Sequence, residues 1–393
     1  MSETRNIVIL GASFAGLGCA HYVAKHILPK LAASKDANYA LHIVDPSSHF
    51  WWHNAAPRAI VSVKEMKHED CFVPIRDAFK QYTNLQGSII FHQGAATALD
   101  TETRMVTIKT HELSETLPYH ALVIATGVRS PTPLTTFHGD YTTSQKALEE
   151  MNVKLASAKD IVIGGGGPIA VETAGEIATH LGKKAKVTLV SGSDKLLPVL
   201  SKKLSVKAQG LLEKAGASVV YNTRVESSQV GADGKTELKL SNGEILTADV
   251  YIPATGVTPN TDFLPADLKN DKGYVKTNGE TLRVDAAGSR VYAAGDVAGV
   301  DLGGVLCMFT TIPILGNNIA HDLLAEAKLG NIAEKKHTRK DAATQLVPVG
   351  AKTGVGAFNG WSLPGFAVAM VKGKNYMLNE MPKIYEGKQW QKA

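Results

Sequence analysis

The sequence predicts an α/β protein made of two similar βαβ modules in tandem, closed by a small C-terminal α+β cap. Three observations lead there. Apolar runs too short for helices end in glycine and pass into small-residue segments of helical length, as in NIVILGASFAG at 6–16. The same order of elements restarts at DIVIGGGGPIAVETAGEIATHL, 160–181, and a repeated order is harder to obtain by chance than a single motif. The 36 glycines cluster behind such runs in a chain of 393 residues that is 44% hydrophobic, enough for two or three domains.

Taken in order, NIVIL is a buried strand, Gly11 begins a turn, GLGCAHYVAKHIL continues as a helix, and LHIVD is a second strand ending at Asp45. SIIFHQGAATALDTETRMVTIKT, 88–110, reads as alternating strands around a polar turn at 100–103, and ALVIATGV closes the block at 121–128. In the second block a strand at 160–164, a glycine turn and a helix are followed by the strand KVTLV. TELKLSNGEIL is a hairpin whose Asn242-Gly243 pair suits a tight primed turn. DVYIPATGVTPN ends this block as ALVIATGVRSP ended the first. SRVYAAGDVAG, 289–299, is a strand running into Gly295-Asp296. EKKHTRK, 334–340, reads as a solvated linker into a β-rich cap. Within that cap AVAMVKGKNYM reads as a strand with Lys372 at its end.

A net charge of +5 and a pI near 8.8 are mild for this length. They favour anionic small molecules or a membrane surface and argue against nucleic acid, since no aromatics interleave with the basic run at 334–340. Cys19, Cys71 and Cys307 lie far apart without metal-ligand or CxxC spacing, which suits a reducing compartment. His49 and His53 lack a third ligand nearby, so no metal is expected. MSETRN has no apolar h-region, no run is long enough to span a bilayer, and Ser2 stands where myristoylation needs glycine. The expectation is a soluble cytoplasmic protein whose membrane contact, if it has one, is peripheral.

In a dinucleotide loop the first glycine makes the turn, the second admits the pyrophosphate, and the third packs the helix on the strand. Gly11, Ser13 and Gly16 fill those places; serine impairs close approach only slightly and adds a donor for phosphate. Alone this loop fits an ordinary strand-turn-helix equally well. The second copy, Gly165, Gly167 and Ala170 with Gly164 as slack, favours two nucleotides bound face to face. Each module then reads as a Rossmann-like, three-layer ββα dinucleotide-binding domain. Asp45 takes the position that binds a ribose hydroxyl, although its wide spacing from the loop calls for a longer helix or loop near LPKLAASKDAN. After KVTLV, Ser191, Ser193 and Lys195 tolerate a 2′-phosphate while Asp194 opposes it, so use of both nucleotides with a slight NADPH preference is expected.

The two loops, the two ATG segments and the late Gly295-Asp296 together resemble the two-dinucleotide-binding flavoprotein superfamily, the pyridine nucleotide-disulfide oxidoreductase fold, over about residues 5–325. The resemblance implies FAD on Gly11, Ser13, Phe14, Ala15, Gly16, Asp45, Ala125, Thr126, Gly127, Gly295 and Asp296. It implies NADH or NADPH on Gly165, Gly167, Pro168, Ala170, Glu172, Ser191 and Gly256. It further implies an FAD domain of 1–129 and 256–325, an NAD(P)H domain of 130–255 inserted between its halves, and a cap of 326–393. VDPSSHFWWHNAAPRAIV and GVGAFNGWSLPGFAVAMVKGKNYM are similar to the apoptosis-inducing-factor-like, ferroptosis suppressor protein branch, whose members are NAD(P)H-dependent quinone reductases.

That branch implies roles for further residues. Asn54 and Arg58 would face the flavin with Arg58 offsetting negative charge, or merely cap and solvate a helix beginning near 55. Glu172 would reach the nicotinamide, its plainer role being to complement the helix dipole from the first turn. Lys372 would sit near flavin and acceptor, and Trp51 and Trp52 would pack at the pocket rim. Without a cysteine pair, electrons must leave the flavin directly. The expected activity is FAD-dependent NAD(P)H:quinone oxidoreduction; the alternatives are a reductase of a ferredoxin-like carrier and a redox-sensing flavoprotein with little turnover.

Overall fold

The computed structural model describes residues 3–110, 113–301, 303–339 and 341–392, so Ser2 and Lys340 lie outside the described residues. β1 (Glu3–Leu10) runs through Gly11 into α1 (Phe14–Tyr22), and β2 (Ala37–Asp45), β3 (Ile89–Gln93) and β4 (Ala121–Ile124) complete the first block. β5 (Asp160–Gly164) passes into α2 (Pro168–Leu181), followed by β6 (Lys186–Val190), β7 (Ala217–Val220) and β8 (Val250–Pro253). β9 (Val291–Ala293) and α3 (Val305–Glu326) come next.

The strands assemble into two parallel sheets with the order β9-β4-β1-β2-β3 and β7-β6-β5-β8. In each, the strand that precedes the glycine turn lies between the strand after the helix and the strand that ends in Ala-Thr-Gly. Such central strands are covered on both faces and therefore read as unbroken apolar runs. Ile7 and Ile9 join one core while Val8 and Leu10 join another on the opposite face; Ile161 and Ile163 are divided from Val162 in the same way. Two antiparallel three-stranded sheets, 95–118 and 225–248, append to the blocks, and the Asn242-Gly243 turn closes the hairpin expected there. A short antiparallel pair, Val128–Arg129 with Thr258–Pro259, joins the two connections between the sheets.

The wide spacing from Gly11 to Asp45 is taken up by helix. After α1 the chain makes a π-helical stretch, Val23–Ile27, and a further turn, Leu28–Leu31. α1 is buried along its whole length, which its small residues permit: a Cβ on Gly18 would lie 2.9 Å from Trp390, and one on Gly316 of α3 would lie 2.2 Å from Tyr22.

Two expectations need correction here. Among the described residues of the cap, strands are confined to β10 (Gln345–Pro348), β11 (Gly354–Phe358) and β12 (Trp361–Ser362), after which it is mainly helical. Lys372 accordingly lies in the helical run 365–373, not on a strand; Val368 and Ala369 face inward on that run as a helical pair while their neighbours do not. EKKHTRK is, over its described residues 334–339, a solvated segment without helix or strand, as expected; only His337 is buried, against Asp301 at 3.1 Å, and surface pairs of Glu334 with Arg283 and of Lys336 with Glu280 at 2.7 Å fasten the run to the first lobe. Among the described residues no helix is long and apolar enough to cross a membrane.

Candidate active site

Both glycine loops open onto one cavity of about 1960 Å³ that runs between the two parallel sheets and reaches the cap. The loops are built alike. Gly11 N–H donates to Val44 O at 2.7 Å and Gly165 N–H to Val190 O at 2.8 Å, while Ala125 N–H donates to Leu10 O at 2.8 Å and Ala254 N–H to Gly164 O at 2.7 Å. Gly11 and Gly165 have φ of +103° and +131°, and a Cβ would lie 2.3 Å from Ala125 O in the one and 2.2 Å from Ala254 O in the other. No other residue type fits there.

In the first lobe, Gly11, Ser13, Phe14, Ala15, Asp45, Asn54, Ala125, Thr126, Gly127, Gly295 and Asp296 all line the cavity. Gly16 lies behind the loop, where a Cβ would meet Gly11 O at 1.8 Å, so its part is packing. Ser13 stands at the N-terminus of α1 with no capping bond from its side chain, which leaves the hydroxyl and the helix N–H groups for an anion. Asp45 is buried. Its Oδ2 accepts from Ala12 N–H at 2.6 Å and its Oδ1 from Ser47 N–H at 2.8 Å, and burial pushes its carboxyl up to about 6 despite those bonds. Asp296 Oδ1 accepts from Gly304 N–H at 3.1 Å, leaving Oδ2 for a ligand hydroxyl.

In the second lobe, Gly165, Gly167, Pro168, Glu172, Ser191 and Gly256 line the cavity, and Ala170 is fully buried beneath the loop. Beyond the end of β6, Asp194 is absent from the lining, whereas Ser193, Lys195 and Arg224 belong to it. Arg224 lies against Gly192, whose added Cβ would meet its Cγ at 2.7 Å. No sequence signal singles out Arg224: it follows β7 as a lone cation, brought to β6 only by sheet pairing.

Between the lobes stands the pair that the sequence treats as two separate residues. Lys372 Nζ donates to Glu172 Oε1 at 2.5 Å. Glu172 is fully buried, and its Oε2 has no hydrogen-bond partner. Burial raises its carboxyl to about 7, a rise that the Lys372 charge partly opposes. α2 begins at Pro168, which puts Glu172 beyond the first turn and removes the helix-dipole role. His53, missed as a site residue, also lines the cavity; burial lowers it to about 4, with Asp296 raising and Lys372 lowering its proton affinity. The sequence signal for it is its place beside Asn54.

Arg58 does not line the cavity, contrary to the sequence expectation. It is buried, donates from Nε and Nη2 to Glu176 at 2.9 and 2.8 Å, and donates to the carbonyls of Lys374 and Gly373 at 2.8 and 2.7 Å. Tyr376 completes the knot, its ring 4.9 Å from the guanidinium and its hydroxyl donating to Glu176 at 3.1 Å. Glu176 lies one turn beyond Glu172 on α2, so this knot holds the cap where Lys372 meets Glu172. A bidentate guanidinium consumed by a carboxylate has no charge to spare for a ligand. Trp51 and Trp52 are likewise fully buried and not at the rim, since Trp52 donates to Tyr376 O and Trp51 stacks on Phe72. Cys19 and Cys71 are buried apart from the cavity and Cys307 lines it alone, so no dithiol faces the site. No group of metal-ligating side chains occurs among the described residues.

Comparison with known proteins agrees with this geometry. Residues 5–319 match the family described as pyridine nucleotide-disulphide oxidoreductase. The chain is 38% identical over 414 aligned residues to oxidoreductase phnG of Penicillium herquei, covering 100% of this chain and 98% of that protein. It is 26% identical to ferroptosis suppressor protein 1 of Xenopus tropicalis, covering 97% of this chain and 96% of that one. The sulfide:quinone oxidoreductase of Aquifex aeolicus superposes with a TM-score of 0.74 at 16% identity, covering 98% of this chain and 92% of that structure, a likeness of fold.

Proposed function

Because the chain belongs to the pyridine nucleotide-disulphide oxidoreductase family, in the branch of the ferroptosis suppressor proteins, and is an NAD(P)H-dependent flavoprotein oxidoreductase, we propose that it passes electrons from NAD(P)H through FAD to a quinone-type acceptor. In this reading residues 1–129 and 256–325 hold FAD, residues 130–255 hold NAD(P)H, and residues 326–393 cap the site. The acceptor is a small molecule and nucleic acid is not a partner.

The observation that carries the reading is the Lys372–Glu172 pair facing the junction of two glycine-loop lobes with no dithiol beside it. The residues fit the two nucleotides: neither Gly11 nor Gly165 has room for a Cβ, each loop opens onto a helix N-terminus, and the buried Oε2 of Glu172 lacks a partner. When bound, FAD supplies the electron transfer that side chains cannot. Gly11, Ser13 and the start of α1 bind one pyrophosphate; Gly165, Gly167 and the start of α2 bind the other. Asp45 and Asp296 orient ribose and ribityl hydroxyls. Oε2 of Glu172 accepts a hydrogen bond from the nicotinamide side. At about pH 7 this carboxyl can hold or release a proton, as a quinone that takes up two electrons requires. Lys372 donates toward the acceptor and keeps positive charge where negative charge develops.

Steady-state oxidation of NADH and NADPH with a water-soluble short-chain quinone tests the proposal. Turnover should rise well above the rate with dioxygen alone. A rate that the quinone leaves unchanged refutes the acceptor, and a rate restored only by a ferredoxin-like protein replaces it.

A further inference from the structure

We infer that His337, oriented by Asp301, gives a proton to the acceptor in the cavity; this rests on the quinone reading above. One histidine in the solvated run 334–339 turns inward. Its neighbours Lys336 and Thr338 are exposed, whereas His337 is only 6% exposed and, like Asp301, belongs to the cavity lining. Its backbone N–H donates to Glu280 O at 2.7 Å and its Nε2 lies 3.1 Å from Asp301 Oδ1, so main chain and ring are both held. An ionised carboxylate only accepts hydrogen bonds. Nε2 therefore carries the hydrogen, and Nδ1 is the nitrogen that takes up and gives back a proton. Nδ1 has no hydrogen-bond partner among the described residues. The neighbouring cations leave the ring to Asp301, since Lys336 turns to Glu280 at 2.7 Å and Arg339 to Asp341 at 2.8 Å. The Cys307 thiol, raised by burial and by the charges of Asp301 and Asp296, lies on the same wall of the cavity.

The acceptor has two oxygens to satisfy. Reduction of a para-quinone turns two C=O groups at opposite ends of the ring into two C–O–H groups. In sum, NAD(P)H, one proton and the quinone give NAD(P)+ and the hydroquinone, so one of the two added hydrogens comes from NAD(P)H and the other from water. The Glu172–Lys372 pair, held between α2 and the cap, can serve one oxygen. His337 stands elsewhere on the wall, on the run that leads into the cap, and serves the other with the proton from water. There the Nδ1–H bond breaks as the O–H bond on the reduced acceptor forms; the electron pair stays on the ring nitrogen, and the neutral ring is recharged from solvent, which its exposed neighbours adjoin. Asp301 stabilises the charged ring and keeps its tautomer fixed. Anchoring the segment needs no histidine, because the pairs of Glu334 with Arg283 and of Lys336 with Glu280 already do so.

Turnover of the FAD-loaded protein with a water-soluble para-quinone and, separately, with ferricyanide tests the assignment, because ferricyanide takes up single electrons and no proton. His337→Gln should slow the quinone reaction at least about tenfold and leave the ferricyanide reaction within about twofold of wild type. Asp301→Asn, which no longer stabilises the charged ring, should slow the quinone reaction with the same selectivity. Free imidazole should restore part of the quinone rate of His337→Ala and leave its ferricyanide rate alone. FAD content, read from absorbance against protein, should be the same in all three variants. A quinone rate of His337→Gln equal to wild type overturns the inference. So does an equal loss with both acceptors, which would make His337 an anchor of the segment and nothing more. Either result, with quinone turnover by the wild-type protein, removes the proton donor and leaves the acceptor reading standing; a wild-type protein that reduces ferricyanide but no quinone removes the acceptor reading and the role of His337 with it. If His337→Gln purifies without FAD, Asp301→Asn decides by the same comparison.

Discussion

Replacing Lys372 by alanine should move the ionisation of Glu172 upward, and the size of the move follows from the site. With Nζ and Oε1 2.5 Å apart, the gross attraction at an effective dielectric of about 20 is on the order of 6 kcal/mol. Water entering the space that the lysine side chain leaves solvates the carboxylate and offsets more than half of it. About 2–3 kcal/mol remains to favour the carboxylate, or roughly two pH units. In the wild-type enzyme the rate of flavin reduction by NAD(P)H in rapid mixing should therefore show an inflection near the value of about 7 set by the Glu172 environment. The inflection should rise in Lys372→Ala and vanish in Glu172→Gln, with FAD content unchanged in both. An inflection that stays in place in Lys372→Ala would refute the electrostatic coupling of the pair, and one that survives in Glu172→Gln would assign it to another group.

The same carboxyl makes a prediction about stability. Its folded value is raised from 4.5 to about 7, so between those values the folded protein binds the extra proton; stability should fall by on the order of 3 kcal/mol as pH rises through that window, and thermal unfolding of Glu172→Gln should lack this slope. Arg58→Met leaves Glu176 buried and unpaired and should cost about 3–5 kcal/mol in denaturant unfolding, much of which Glu176→Met should restore in the double variant. Arg224→Ala should lower kcat/KM for NADPH relative to NADH by about tenfold, the worth of one charge-assisted contact to a 2′-phosphate; an unchanged ratio would exclude Arg224 from cofactor choice. Asp296→Ala should purify with less FAD and a weaker flavin affinity while its NAD(P)H lobe stays folded, checked by flavin absorbance against protein; full occupancy would show that Gly304 N–H, not the flavin, is the partner that matters.

The sequence by itself determined whatever is built from neighbours along the chain. Gly11 and Gly165 can be read because strand, turn and helix follow one another within a few residues, and a positive φ with no room for Cβ is a local demand. The alternation of the two cores along β1 and the repeat of the whole block are local in the same sense. The tertiary structure decided what depends on residues far apart in sequence. Glu172 and Lys372 are separated by 200 residues, and Arg58 and Glu176 by 118; a lysine, an arginine and two glutamates read singly carry charge but no address. Read from the sequence, Lys372 and Arg58 are both cations on the acceptor side of the flavin and Glu172 is a separate acid on the nicotinamide side. Packing of the cap against α2 separates the two cations, because the guanidinium is held by a buried carboxylate and two carbonyls while the lysine pairs with Glu172 and lines the cavity. Burial is a property of the assembled core, and it is burial that turns Glu172 from an ordinary carboxylate into a group that exchanges its proton near neutrality.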